Sequence, residues 1–189
     1  MNEITIAGAR FLVGKLPEHL TLDKDEFEKL WEIRPSHFNA IRMFDKEVFI
    51  PRWQQAYGKN YFFSNQTSEA LPITKELEPF LLWAQTFNPA YNGLLLNWYD
   101  SDLKHYIGRH TDSTTGLVKG SHIITASLGA DRAFRIRERG KGKGFEDYIV
   151  SNGSVVVIPW ETNRTHTHEV PYHGKYSGKR ISVTARAFV

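Results

Sequence analysis

Apolar and polar positions alternate differently in the two parts of this chain. Ile4–Leu16 reads as one or two strands. The segment from Thr21 to Trp31 predicts a helix, with Thr21 or Asp23 as its cap, acidic residues in the first turn, and Phe27, Leu30 and Trp31 on one face. Leu71–Thr86 predicts a second helix, with Pro72 near its start and Leu77, Leu81 and Leu82 turned toward a core. From about Tyr91 the pattern shortens to the runs GLLLNWY, HIITASLG, RAFRIRE, DYIVS, GSVVVIPW and RISVTARAF, separated by Gly, Asn, Asp and Ser. Two leading helices followed by many short strands predict one α+β domain over residues 1–189 built on a β-sandwich or jelly roll. Within it, Arg132–Lys143 alternates Phe134 and Ile136 with Arg135, Arg137 and Arg139. That is a half-buried strand with a basic outer face, followed by an exposed Gly-Lys-Gly-Lys-Gly loop.

Composition narrows the chemistry. With no cysteine, disulfides and thiolate ligands are excluded, so a metal here must be held by His and carboxylate, a donor set suited to iron, manganese or zinc. No stretch approaches the roughly 18 uninterrupted apolar residues of a membrane span. The N-terminal residues lack the layout of a secretory signal, so a cytoplasmic protein, acting as a monomer away from membranes, is expected. The net charge is only +3, but after residue 100 there are 14 Lys and Arg against 8 Asp and Glu. That bias favours an anionic substrate or partner.

Six of the eight histidines lie between His105 and His173. His110-Thr111-Asp112 is an H-x-D pair, and on an extended segment residues i and i+2 point to the same side, so both can reach one ion. A third ligand must come from a distant strand, where His166 and His168 are both available. Two His and one carboxylate form a facial triad that leaves open positions on Fe(II). Twelve residues after His168, Arg180 begins a strand pattern with Ser182, Thr184 and Arg186 on the same face. An arginine there can grip the far carboxylate of a dicarboxylate cosubstrate through two parallel charge-assisted hydrogen bonds.

In their order these motifs resemble the AlkB family of Fe(II)/2-oxoglutarate oxygenases, over most of the chain. The matching residues are Pro51-Arg52 through Tyr57-Gly58, Asn97-Trp98-Tyr99, His110-Thr111-Asp112, Ser127-Leu128-Gly129, His168-Glu169-Val170-Pro171, and Arg180 to Arg186. The resemblance implies a double-stranded β-helix core over residues 91–189, with N-terminal helices packed on one sheet and a nucleotide-recognition lid within 1–90. It implies Fe(II), 2-oxoglutarate and O₂, with His110, Asp112 and, through the H-x-V-P spelling, His168 as ligands. Asn97, Tyr99, Arg180, Ser182 and Arg186 would face the cosubstrate. Phe44, eight residues before Arg52, matches a duplex-probing segment, and Trp53, Tyr57, Tyr61 and Trp98 are further stacking candidates. Arg52, Arg132 and the Arg135/Arg137/Arg139 face are candidate phosphate contacts. The implied reaction is oxidative dealkylation of N-alkylated bases in DNA or RNA, releasing succinate, CO₂ and an aldehyde. The alternative is hydroxylation of a free nucleotide, a small metabolite or a protein side chain. Two positions depart from the family pattern. Ser182 stands where Asn is common, and Thr114 stands where repair enzymes often carry an acid that contacts the target base.

Overall fold

The alternating runs become the strands of two facing sheets in the structure, a computed structural model that describes residues 1–43, 46–63 and 66–189. In chain order, β1 (Asn2–Ile6) and β2 (Ala9–Lys15) precede α1 (Lys24–Glu32). Six short strands follow: β3 (Ala40–Met43), β4 (Lys46–Phe49), β5 (Trp53–Tyr57), β6 (Tyr61–Phe63), β7 (Gln66–Ser68) and β8 (Ala70–Leu71). After α2 (Glu78–Gln85) come β9 (Gly93–Asp100), β10 (Ile107–His110), β11 (Ile123–Gly129), β12 (Arg132–Glu138), β13 (Glu146–Val150) and β14 (Ser154–Ile158). The chain closes with α3 (Trp160–Thr165), β15 (His166–Val170) and β16 (Lys179–Arg186).

The larger sheet has the order β1-β2-β14-β11-β16-β9-β5-β8, and the smaller β10-β15-β12-β13. Together they form the expected jelly-roll core. Strand periodicity decides what each face of the larger sheet meets. One set of positions, including Leu94, Leu96, Trp98, Ile124, Leu128, Ile181 and Val183, packs under the helices against Leu30, Trp31, Leu77 and Phe80. Each fully buried side chain of this kind contributes roughly 1.5–3 kcal/mol. The alternate set turns toward the smaller sheet, where Tyr99, Ile123 and Val156 meet Phe134, Ile136 and Val170. The polar members of that inner face build the site.

The first helix forms as its sequence predicts. Asp23 is the cap, accepting from Glu26 N at 2.9 Å while the Glu26 carboxylate accepts from Asp23 N. The second prediction needs correction. The helix starts at Glu78, and the proline in its first turn is Pro79. Leu71 belongs to β8 and Leu82 is 57% exposed; Phe80 and Ala84 face the core with Leu77 ahead of them. The strands expected over Ile4–Leu16 form as β1 and β2, and with β5 and β8 they join the larger sheet, so the sheet core extends into residues 1–90 beyond the expected helices and lid. Two hairpins, β3–β4 and β6–β7, lie in the same stretch. Gly129, at φ +83°, ends β11 in a conformation open to glycine, and a Cβ there would stand 2.5 Å from the Lys179 carbonyl. That close approach seats Arg180 beside β11, in register with Gly129.

Candidate metal and cosubstrate site

The smaller sheet carries two of the three candidate ligands. β10 and β15 run antiparallel with His110 directly opposite His168, and their rings are 4.3 Å apart. Asp112 follows two residues beyond β10, where no ladder holds it. Asn163 of α3 holds it instead: its Oδ1 accepts from Asp112 N at 2.9 Å and its Nδ2 donates to Asp112 O at 3.0 Å. This buried amide fork was invisible in the sequence, since nothing in the Trp160–Thr165 spelling announces a tertiary partner. One donor atom from each of His110, Asp112 and His168 lies within 4.8 Å of the others.

Hydrogen bonding assigns the ring nitrogens. His110 Nδ1 lies 2.8 Å from Gly108 O, and a carbonyl only accepts, so Nδ1 carries the proton and Nε2 keeps a free lone pair. His166 differs. Its Nε2 donates to Ala7 O at 3.0 Å and its Nδ1 contacts Thr165 Oγ1 at 2.9 Å, so both nitrogens are engaged away from the cluster.

Electrostatics favour the metal-ready protonation state. Burial, reinforced by His110, pushes the His168 imidazole down to about 3, and burial also lowers His110. The 3.5 Å approach of His168 Nε2 to Asp112 is therefore a contact with a neutral ring and not an ion pair. For Asp112, burial acts upward, but Arg186 together with His168 and His110 outweighs it and holds the carboxyl well below the usual range. Arg186 Nη2 donates to Asp112 Oδ1 at 2.6 Å. These shifts predict acid lability of the metal-free protein. Below the ordinary imidazole range near 6.5 the unfolded chain binds protons that the folded site refuses. Stability is then fully present above about pH 6.5 and falls toward pH 3. Denaturation midpoints that stay flat over that window contradict the assignment.

The larger sheet supplies a buried arginine on its inner face. Arg180 is 2% exposed, lies 5.0 Å from the Tyr99 ring centroid, and donates from Nη2 to Ser127 Oγ at 2.8 Å. Its Nε and Nη1, and likewise Nε and Nη1 of Arg186, have no acceptor among the described residues. Buried N–H groups on a cation are costly to leave unmet, so this arrangement fits an anionic oxygen ligand. Asn97, Ser182 and Ser127 lie on adjacent strands in one register row, and all are buried. Tyr61, expected only as a stacking residue, also enters: its hydroxyl is 3.5 Å from Asp112 Oδ1 and its ring lies under Arg186 at 4.5 Å.

Other sequence candidates fall elsewhere. Tyr57 and Trp98 are core side chains under the helices, because each points to the sheet face opposite the site. Arg132 is buried and spends its guanidinium on the Asp131 and Gly178 carbonyls at 2.7 Å each. The expected basic face of β12 is largely neutralised, as Arg135 grips both oxygens of Asp147 and Arg137 grips Glu169. Arg139 has no carboxylate partner among the described residues. It lines a polar cavity of about 380 Å³ with Thr111, Asp112, Thr114 and Thr165. Arg52 is buried beside Asn97 rather than exposed to a phosphate. Phe44 lies outside the described residues. A second cavity, about 530 Å³, opens between the two hairpins, with Phe38, Phe49 and Phe63 in its lining.

A jelly roll carrying two neutral imidazoles, one carboxylate and a buried arginine with unspent donors fits Fe(II) and 2-oxoglutarate, and residues 49–186 match the 2OG-Fe(II) oxygenase superfamily. The chain belongs to that superfamily. Within it the chain is AlkB-like: it is 31% identical over 176 residues to the DNA oxidative demethylase ALKBH2 of Bos taurus and, over the same length, to that of Homo sapiens. Both alignments cover 85% of this chain, which spans 62% of the bovine and 66% of the human protein. The solved structure of OsALKBH1 superposes with a TM-score of 0.56 at 13% identity, covering 93% of this chain and 97% of that one. An oxidoreductase of the 2OG-Fe(II) oxygenase family from Burkholderia pseudomallei gives 0.53 at 14%, covering 93% and 84%. At such identities these two establish the shared fold. No helix among the described residues is long and apolar enough to cross a membrane.

Proposed function

We propose that this protein removes alkyl groups oxidatively from N-alkylated bases in DNA, with His110, Asp112 and His168 holding Fe(II) and Arg180 holding 2-oxoglutarate. The observation that carries the reading is the buried Arg180 guanidinium, with two donor groups unspent, on the same inner face as the Arg186–Asp112 pair. Fe(II) on His110, Asp112 and His168, with 2-oxoglutarate on Arg180, would supply the oxidation of an N-alkyl carbon by O₂, with succinate, CO₂ and an aldehyde as the products.

The chain's own residues position and shield. Gly108 O keeps the His110 tautomer, and Asn163 keeps the Asp112 backbone where its carboxylate meets both imidazoles. Arg186 keeps that carboxylate ionised. Phe134, whose ring is 5.3 Å from that of His168, joins Ile136 and Val170 in an apolar wall that keeps bulk water from the ligands. Tyr99, Asn97 and Ser182 line the cosubstrate side with Arg180.

For the substrate, support comes from the ALKBH2 relatives, which are DNA oxidative demethylases by name, and from the cavity at Asp112. There Thr114 offers a hydroxyl to a base edge and Arg139 an uncommitted guanidinium to a phosphate. The groove between the hairpins, lined by Phe38, Phe49 and Phe63, is where a nucleotide-recognition lid would act. Oligonucleotides carrying 1-methyladenine or 3-methylcytosine, incubated with protein, Fe(II), 2-oxoglutarate and air, are expected to lose the mass of the methyl modification. Unchanged mass alongside continuing succinate formation would transfer the activity to another substrate class.

A further inference from the structure

Arg52 is a buried cation that the chemistry above leaves without a task. It is 6% exposed, and it has no carboxylate partner among the described residues. Its guanidinium is instead spent on two amides. Nε donates to Asn97 Oδ1 at 2.8 Å and Nη2 donates to Gln54 Oε1 at 3.1 Å. Gln54 and Asn97 are directly opposite each other on β5 and β9, and Ser182 is opposite Asn97 on the other side.

A side-chain amide presents an acceptor at one end and a donor at the other, and the two ends have nearly the same shape. Guanidinium has no acceptor, so whatever faces it must be the oxygen. The Asn97 NH₂ is therefore turned away from Arg52, and it meets no acceptor among the described residues. It lies on the inner face in the row that continues through Ser182 to Ser127, the hydroxyl that anchors Arg180. Gln54 is set the same way, with its Nε2 buried and unpartnered. Without Arg52, the Asn97 amide is free to flip, and its oxygen then faces the pocket and repels an anionic ligand.

We infer that Arg52 is a positioning residue for the cosubstrate: it holds the Asn97 amide so that its NH₂ donates to bound 2-oxoglutarate. This rests on the proposed function only in taking 2-oxoglutarate as the ligand of the Arg180 pocket. It differs from a phosphate or base contact, because Arg52 acts through Asn97 and not on nucleic acid.

The test is calorimetric titration of 2-oxoglutarate into Mn(II)-loaded protein, which reads binding without turnover. Arg52→Met is expected to weaken 2-oxoglutarate binding roughly tenfold or more, the worth of one hydrogen bond to a charged group. In an Asn97→Ala background the same change is expected to cost almost nothing, with Mn(II) stoichiometry unchanged throughout. Arg52→Lys, which keeps the charge and a donor, is expected to recover part of the loss. An equal loss in both backgrounds, or no loss in either, overturns the inference. So does an effect confined to oligonucleotide binding. Should Arg52→Met fail to fold, Asn97→Asp carries the test, since it satisfies Arg52 but turns an oxygen toward the pocket. It is expected to bind 2-oxoglutarate more weakly than Asn97→Ala, and binding equal to the unaltered protein overturns the inference. If the unaltered protein does not bind 2-oxoglutarate at all, the proposed function itself falls.

Discussion

His110→Ala and His168→Ala are each expected to abolish Fe(II)-dependent succinate formation and weaken Mn(II) binding at least about a hundredfold, while His166→Ala leaves both near normal. Even outer partners of metal ligands cost about 10–100-fold in affinity when removed, so losing one of three ligands must cost more. His166 serves as the internal control because it is also buried and lies two residues from His168, yet both its nitrogens are engaged with Ala7 and Thr165. Equal losses at His166 and His168, measured by Mn(II) titration, would place the ion elsewhere on β15.

Arg180→Ala is expected to raise the 2-oxoglutarate dissociation constant roughly a hundredfold or more, leaving Mn(II) stoichiometry intact. Two charge-assisted hydrogen bonds are lost, each worth about 1.5–3 kcal/mol, at a guanidinium that is buried in the larger sheet. Arg180→Lys is expected to rescue little, since an ammonium cannot reproduce the planar fork and would leave Ser127 without its present donor. The readout is calorimetry on Mn(II)-loaded protein. A normal affinity in Arg180→Ala would mean that Arg132 or Arg186 anchors the far carboxylate.

What the sequence revealed and what it concealed divide along physical lines. Short apolar runs set off by Gly, Asn, Asp and Ser predicted β9, β11, β12, β13, β14 and β16, which pack under the helices or against the opposite sheet; β10 and β15 were not among those runs. The H-x-D pair, a distal His and Arg180 were legible as candidates, since few residue types suit such chemistry, and the fold brings His110, Asp112 and His168 together. The choice between His166 and His168 was not legible from spacing, as both point to one side of β15. Their surroundings separate them: His166 is tied to its neighbour Thr165 and to the distant Ala7, whereas His168 approaches Asp112. The second helix was drawn too long because its apolar positions continue through β8, and Pro79 rather than Pro72 marks its first turn. The two hairpins passed unread because their strands are only three or four residues long.

Parity could have corrected one candidate in advance. Arg52 and Tyr57 are five residues apart, so along an extended segment they point to opposite faces and cannot both line the site. Gln54 shares the parity of Arg52, and the structure joins the two. By contrast, no rule of spacing could show that Asp147 and Glu169 occupy Arg135 and Arg137. These contacts depend on β13 and β15 flanking β12. With those two arginines occupied, Arg139, just beyond the end of β12, has no carboxylate partner among the described residues and lines the cavity that also holds Thr114.

If the His110, Asp112, His168 cluster and Arg180 form one binding unit, Fe(II) and 2-oxoglutarate bind together and report on each other. Anaerobic titration of 2-oxoglutarate into the Fe(II)-loaded protein, followed by visible absorption, tests it most directly. A charge-transfer band is expected that saturates at one 2-oxoglutarate per chain, that disappears in His110→Ala and His168→Ala, and that requires far more ligand in Arg180→Ala. No band in the unaltered protein, or a band of undiminished intensity in His168→Ala, would contradict it.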